Sequence, residues 1–168
     1  MWLNKLNDMS VGPLWVLRDR QSAANPDTGH CTVCGQAWLE TDLHNATTLI
    51  VVPEALTDGA QQALLANCLA AAGLSETAAS FSLHTACASD SHAAITALEQ
   101  YLSASPVKRV IVFGETAARR INPEFTRGTV HDWQQIRLVV THHPDRMLAN
   151  PALKAETWSD LCLALHDA

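Results

Sequence analysis

Three short runs of the chain are almost unbroken in apolar, β-branched residues: TTLIVV at residues 47–52, RVIVF at 109–113 and IRLVV at 136–140. None alternates polar with apolar residues, so none reads as a strand with one wet face. Such runs read as strands covered on both sides. Helical patterns lie between them. Thr57-Asp58 starts a helix that carries Leu64, Leu65, Cys68 and Leu69 and stops at Gly73. Asp90-Ser91 caps a second over residues 92–102, which Pro106 closes. A short third helix, 115–121, follows Gly114, and a last one follows Asn150-Pro151, with Pro151 in its first turn. That helix is expected to turn Leu153, Trp158, Leu161 and Leu165 to the core. Weaker strands are expected at 80–83 and 129–131. Strand–helix alternation of this kind implies a three-layer α/β sandwich, a mostly parallel central sheet with helices on both faces.

The pattern begins only at residue 47. Residues 1–20 form a short amphipathic arm with Trp2, Leu3 and Leu6 at helical spacing, broken by Val11-Gly12-Pro13. Residues 21–46 read as an irregular linker with a Cys-x-x-Cys inside, and residues 47–168 as the α/β domain. The 168 residues carry a formal net charge of −6, which argues against salt-driven adhesion to nucleic acid. No apolar run approaches the ~20 residues that span a bilayer. The first residues lack the apolar core of a secretory signal. Both absences point to the cytoplasm. The five cysteines, an odd and scattered set, do not suggest a disulfide framework. Cys68 and Cys162 sit in apolar helical patterns and read as small core residues.

Several features invite chemistry. His142-His143-Pro144 leaves the last strong strand, and ligands of open α/β sheets bind at that edge. A histidine there can stabilise developing negative charge, or simply bond neighbouring backbone. Glu54 leaves the first strong strand and can activate water, or stand solvated. Gly114-Glu115-Thr116-Ala117 makes a tight strand–helix turn, either a polar-ligand site or plain architecture. His30-Cys31-Thr32-Val33-Cys34 is half of a metal site, with His30, His44 and Cys87 as possible further ligands, or a loop with two free thiols. Trp15, beside Arg18, is either a docking anchor or a residue folded back on its own domain.

Residues 110–121 (VIVFGETAARRI) and 137–161 (RLVVTHHPDRMLANPALKAETWSDL) resemble the C-terminal half of the uracil-DNA glycosylase superfamily, nearest its iron–sulfur classes. The resemblance runs from residue 47 to the end. It implies that His143 is the histidine that contacts uracil. It also implies that Cys31, Cys34 and Cys87 occupy three of four cluster positions. The fourth cysteine has no counterpart in ASDSHAAITALEQ. Of the family's Gly-Glu-x-Pro-Gly loop only Glu54 remains, and the aromatic residue that stacks on uracil has no counterpart in LTDGAQQALLANCL.

The arm, LNKLNDMSVGPLWVLRDR, is similar to that of the psi-subunit family of the bacterial DNA polymerase III clamp-loader complex, with Leu6, Met9, Val11, Trp15, Leu17 and Arg18 in register. Ala149-Asn150-Pro151 and Trp158 match that family's C-terminus. This second resemblance implies a non-catalytic adaptor without a cofactor. Its arm would enter the collar of the tau/gamma ATPase subunits through Trp15, flanked by Leu14, Val16 and Leu17, with Arg18 paired to the collar. Its body would bind the chi subunit and, through it, single-stranded-DNA-binding protein. The rival expectation is a divergent uracil-DNA glycosylase using Glu54 and His143, with zinc or a remnant iron–sulfur site at Cys31, Cys34 and Cys87. A third is a stand-alone module of this fold that binds another protein.

Overall fold

The computed structural model describes residues 29–31, 33–41, 45–87 and 91–166. The arm residues Leu6, Met9, Val11, Leu14, Trp15, Val16, Leu17 and Arg18 lie outside them, as does His44.

The elements follow in the order β1 (Leu39–Thr41), β2 (Thr48–Val52), α1 (Gly59–Ala71), β3 (Ala78–Ser82), α2 (Ser91–Ala104), β4 (Arg109–Phe113), α3 (Glu115–Ile121), β5 (Val130–Trp133), β6 (Ile136–Thr141), α4 (Pro144–Ala149) and α5 (Leu153–Leu165). The six strands form one sheet in the order β1-β3-β2-β4-β6-β5. The inner four are parallel. The short edges β1 and β5 are antiparallel to their neighbours. From β2 the chain steps outward to β3, then crosses back to β4 and on to β6. The strand order therefore reverses between β2 and β4, the place where open α/β sheets keep their ligands.

The three strong runs are the three central strands, and their alternate residues serve two cores. Leu49, Val51, Val110, Val112, Leu138 and Val140 pack on one face, with Leu98 of α2 and Ala117 and Ala118 of α3. Ile50, Val52, Ile111, Phe113 and Val139 pack on the other, with Leu65 of α1, Met147 of α4 and Leu161 of α5. Burying each such side chain contributes roughly 1.5–3 kcal/mol. That is why these runs hold no polar alternation and why the architecture is the expected three-layer α/β sandwich.

Caps fix the helix ends. Asp58 accepts from the Ala60 N–H at 2.8 Å and starts α1. At the other end Gly73 takes φ +69°, while Leu74 N–H reaches the Leu69 carbonyl and Gly73 N–H that of Ala70. This double closure of the last turn needs the left-handed conformation that glycine adopts freely.

The structure departs from expectation at four places. The segment read as an irregular linker contributes, from residue 29 onward, the edge strand β1 and the buried Cys31, Trp38 and Ala46. The His-Pro loop is followed at once by a helix, α4, with Pro144 at its start and His143 as its N-cap. The last helix begins at Leu153, beyond Pro151 rather than around it. Finally, Trp158 is 46% exposed and Cys162 is also exposed, whereas both were expected inside. The buried stripe of α5 runs through Thr157, Asp160, Leu161 and Ala164. At ~100° per residue, Trp158 and Cys162 lie well round the helix from it. Cys68 is partly buried against the second core.

Candidate functional site

The C-terminal ends of the parallel strands form a rim with two corners. At the first, β6 ends in Thr141 and hands the chain to His142, His143 and α4. Gly114, just past β4, has φ +108°, a conformation side chains rarely adopt, and the His143 ring lies against it. A Cβ at Gly114 would stand 3.4 Å from the His143 Cβ. That is ordinary van der Waals contact, so it is the φ rather than the space that calls for glycine here. The Asp145 backbone N–H donates to His143 Nδ1 at 3.2 Å, so the ring's proton sits on Nε2. That Nε2 is buried and has no hydrogen-bond partner among the described residues. Burial lowers the His143 pKa against the upward pull of Asp145, which keeps the ring neutral. A neutral imidazole offering one unused N–H is a donor suited to an oxygen that is gaining charge.

A polar network ties this corner to α5. The buried Asp160 accepts from Thr141 Oγ1 at 2.9 Å and pairs with Arg127 Nη1 at 3.2 Å. Arg127 Nη2 also meets Glu156 at 2.8 Å, and His142 Nε2 meets the same carboxylate oxygen at 3.0 Å. The His142 contact first, and Arg127 second, hold the Glu156 carboxyl below its usual range. His142 is therefore bound inward, and His143 alone faces the β4 turn.

Glu54 leaves β2 toward the other corner. Its Oε1 accepts from Thr85 Oγ1 at 2.8 Å and from the Ala86 N–H at 2.5 Å. Its Oε2 lies 4.0 Å from His84 Nδ1. The carboxylate is engaged in holding the loop after β3, which Arg120 of α3 also grips through the Thr85 carbonyl. The side chain remains 42% exposed.

The second corner is built from sulfur. The turn at residues 31–36 closes through Gly35 N–H to the Cys31 carbonyl and Cys31 N–H to the Gln36 carbonyl, both at 2.8 Å, with Gly35 at φ +73°. The loop after β3 brings Cys87 to the same point, its N–H bonded to the His84 carbonyl at 2.9 Å. The sulfurs of Cys31, Cys34 and Cys87 all lie within 4.8 Å of one another. Hydrogen bonding from the Gln36 backbone, the largest influence, lowers the Cys34 pKa. Burial, then the neighbouring Cys31 and Cys34 sulfurs, push the Cys87 thiol up to about 12. His84 completes the corner. It is buried, it takes φ +46°, and its Nδ1 stands 3.9 Å from Cys34 Sγ.

A cavity of about 290 Å³ lies between α1 and the sheet, lined by Ile50, Val52, Leu65, Leu69 and Ser80 among others. Glu54, His143 and the clustered cysteines do not line it.

An open, mostly parallel α/β sheet places this histidine and this carboxylate at the strand ends where such folds keep their ligands. The family model of the uracil DNA glycosylase superfamily matches residues 53–162, and the chain belongs to that superfamily. A search among curated proteins finds no match.

Of the sequence candidates, Cys31, Cys34 and Cys87 come together, while Glu54 and His143 occupy separate parts of one rim. His30 bridges to Ala37 in the backbone. The four-cysteine cluster of the superfamily's iron–sulfur classes does not fit the donors present. It needs four thiolates, normally one per iron. Among the described residues the two remaining cysteines stand on α1 and on the exposed side of α5. Sequence reasoning missed His84. A histidine at the end of a weak strand gives no signal until the fold sets it beside Cys34. No helix among the described residues is long and apolar enough to cross a membrane.

Proposed function

We propose that the chain is a non-catalytic adaptor of the DNA polymerase III holoenzyme, a psi-like subunit whose N-terminal arm binds the collar of the tau/gamma clamp-loader ATPase and whose α/β body binds chi. The body would reach single-stranded-DNA-binding protein only through chi. The observation that carries this reading is the engagement of Glu54. Its carboxylate holds Thr85 and Ala86 instead of facing an open pocket, in a chain that opens with a psi-like arm sequence. A flipped base needs a pocket that stacks and hydrogen-bonds it, and the segment after Glu54 supplies no aromatic residue. A net charge of −6 agrees with a protein partner rather than direct DNA binding.

Calorimetric titration of the full chain into the collar domain tests the proposal. Tight binding is expected, and Trp15→Ala should weaken it by ~2 kcal/mol or more, as truncation of an interface anchor does. A change below ~0.5 kcal/mol would remove Trp15 as the anchor. Absence of binding by the intact chain would sink the adaptor reading.

The unpartnered Nε2 of His143 favours a second reading, a divergent uracil-DNA glycosylase in which this N–H stabilises the departing base and Glu54 positions water. Uracil release from single-stranded DNA that disappears in His143→Ala would establish it.

A further inference from the structure

The geometry points to a mononuclear metal site, taken by one zinc-class ion, with Cys31, Cys34 and Cys87 as thiolate ligands and the His84 imidazole as the fourth. Its place in the fold is that of a family cluster, but its donor set and its size are different.

Size comes first. Thiolates that share one tetrahedral ion at ~2.3 Å stand about 3.8 Å apart, whereas thiolates bound to separate irons are spread wider. The three sulfurs here already lie within 4.8 Å of one another. A nitrogen and a sulfur on the same ion stand about 3.6 Å apart, and His84 Nδ1 lies 3.9 Å from Cys34 Sγ. His84 is close to Cys34 but stands outside the group of three sulfurs that lie within 4.8 Å of one another, so the ring has to swing toward Cys31 and Cys87 to complete the set.

The surroundings of His84 fit a ligand. Its other nitrogen, Nε2, is 3.1 Å from the Ala37 carbonyl. A histidine bound to metal through one nitrogen almost always donates the other N–H to a carbonyl or carboxylate, which fixes the tautomer. Here that bond leaves the Nδ1 lone pair directed to Cys34. His84 also holds a left-handed backbone, φ +46°, though it carries a side chain. Such strain collects where a site requires it. The Cys31–Gly35 turn adds the remaining element, a Cys-x-x-Cys closed by glycine, with the Gln36 backbone bonded to the Cys34 sulfur.

On binding, each of the three thiols releases its proton to solvent as a sulfur lone pair bonds the ion. His84 stays neutral, its proton on Nε2. Three thiolates and one divalent cation leave a net charge of −1. No redox step is involved.

This assignment is independent of the adaptor reading, because its test uses neither clamp loader nor DNA. The full chain is reduced, stripped of metal and titrated with Co²⁺, followed by absorption and by zinc competition. One Co²⁺ per chain is expected, with a thiolate-to-cobalt charge-transfer intensity of three sulfurs and the visible bands of a tetrahedral ion. Cys87→Ser should reduce the intensity to two sulfurs and weaken binding tenfold or more. Cys162→Ser, on the far side of α5, should change neither. His84→Ala should keep the charge transfer but move the visible bands. Should the variants fail to fold, the spectrum of the native chain decides, since octahedral bands without thiolate charge transfer overturn the site. An unmoved visible spectrum in His84→Ala overturns the four-ligand assignment. So does iron with inorganic sulfide, more than one iron per chain, in protein purified without oxygen.

Discussion

The two corners of the rim are held by different chemistry. At the β6 corner, Asp160, Arg127, Glu156 and His142 form a chain of ion pairs and hydrogen bonds that fastens α5 to the sheet. At the β3 corner three sulfurs and a histidine converge from segments some fifty residues apart. In the first network each charged group has a partner supplied by the chain, while the buried Nε2 of His143 beside it has none among the described residues. The second brings together soft donors that repel one another once ionised and calls for a cation. One superfamily scaffold can therefore keep one end by internal charge pairing while the other depends on what the solution supplies.

The contrast is easiest to break at Asp160. Asp160→Ala leaves Arg127 with Glu156 as its remaining ion-pair partner and releases Thr141, and loss of one partner of a buried pair costs about 3–5 kcal/mol. Because Arg127 is 30% exposed, a loss of ~3 kcal/mol is expected by urea denaturation. A loss under ~1 kcal/mol would mean that the network contributes little. Next in size is removal of the ion. At a free concentration one hundred times its dissociation constant, a bound ion stabilises the fold by about 2.7 kcal/mol. A chelator should remove that amount and speed amide exchange in β1 and β3, leaving β6 as it was. Uniform loosening of both corners would contradict the division drawn here. Gly114→Ala should follow at ~2 kcal/mol, from the strained φ.

The smallest effect is the pH response of His143. Its folded pKa lies below the ordinary 6.5, because burial disfavours the charged ring. As pH falls through about 6.5 the unfolded chain binds the proton first. Stability is therefore flat above that pH and declines below it, down to the depressed folded value. The native chain should lose slightly more of its denaturation midpoint between pH 7.5 and pH 5 than His143→Gln does. Equal losses would show that the ring is not held neutral.

Much of this fold was legible in the sequence. The strands β2, β4 and β6 are buried on both faces, so their polar residues fall at the strand ends and do not alternate with the apolar ones. The helix α3 was found at its observed bounds because Gly114 marks its start. The strand β3, AASFS, was faint because alanine and serine carry little β-preference, and here their small size lets helices approach. The helix α4 hid behind the His-Pro pair, although proline at a helix start was the available signal. Trp158 misled because hydrophobicity alone does not fix which side of an amphipathic turn faces inward. Site residues divide the same way. Cys31, Cys34 and Cys87 were placed together by resemblance; position after a strand marked the pair His142-His143, and the resemblance chose His143. His84 depends on a left-handed turn and a carbonyl at Ala37, neither of which leaves a local trace.

The sheet order has a consequence for synthesis of the chain. The strand β2 lies at the centre, yet it is made before β3 and β4, which cover both its edges. At roughly 5–20 residues per second, TLIVV spends several seconds outside the ribosome with its β4 edge unpaired. A short, uncharged, β-branched segment in that position is a template for self-association. Protection during those seconds has to come from the early α1–β3 unit or from a chaperone. Yield of the chain in cells will then follow translation speed across residues 53–108 more closely than it follows the stability of the finished fold.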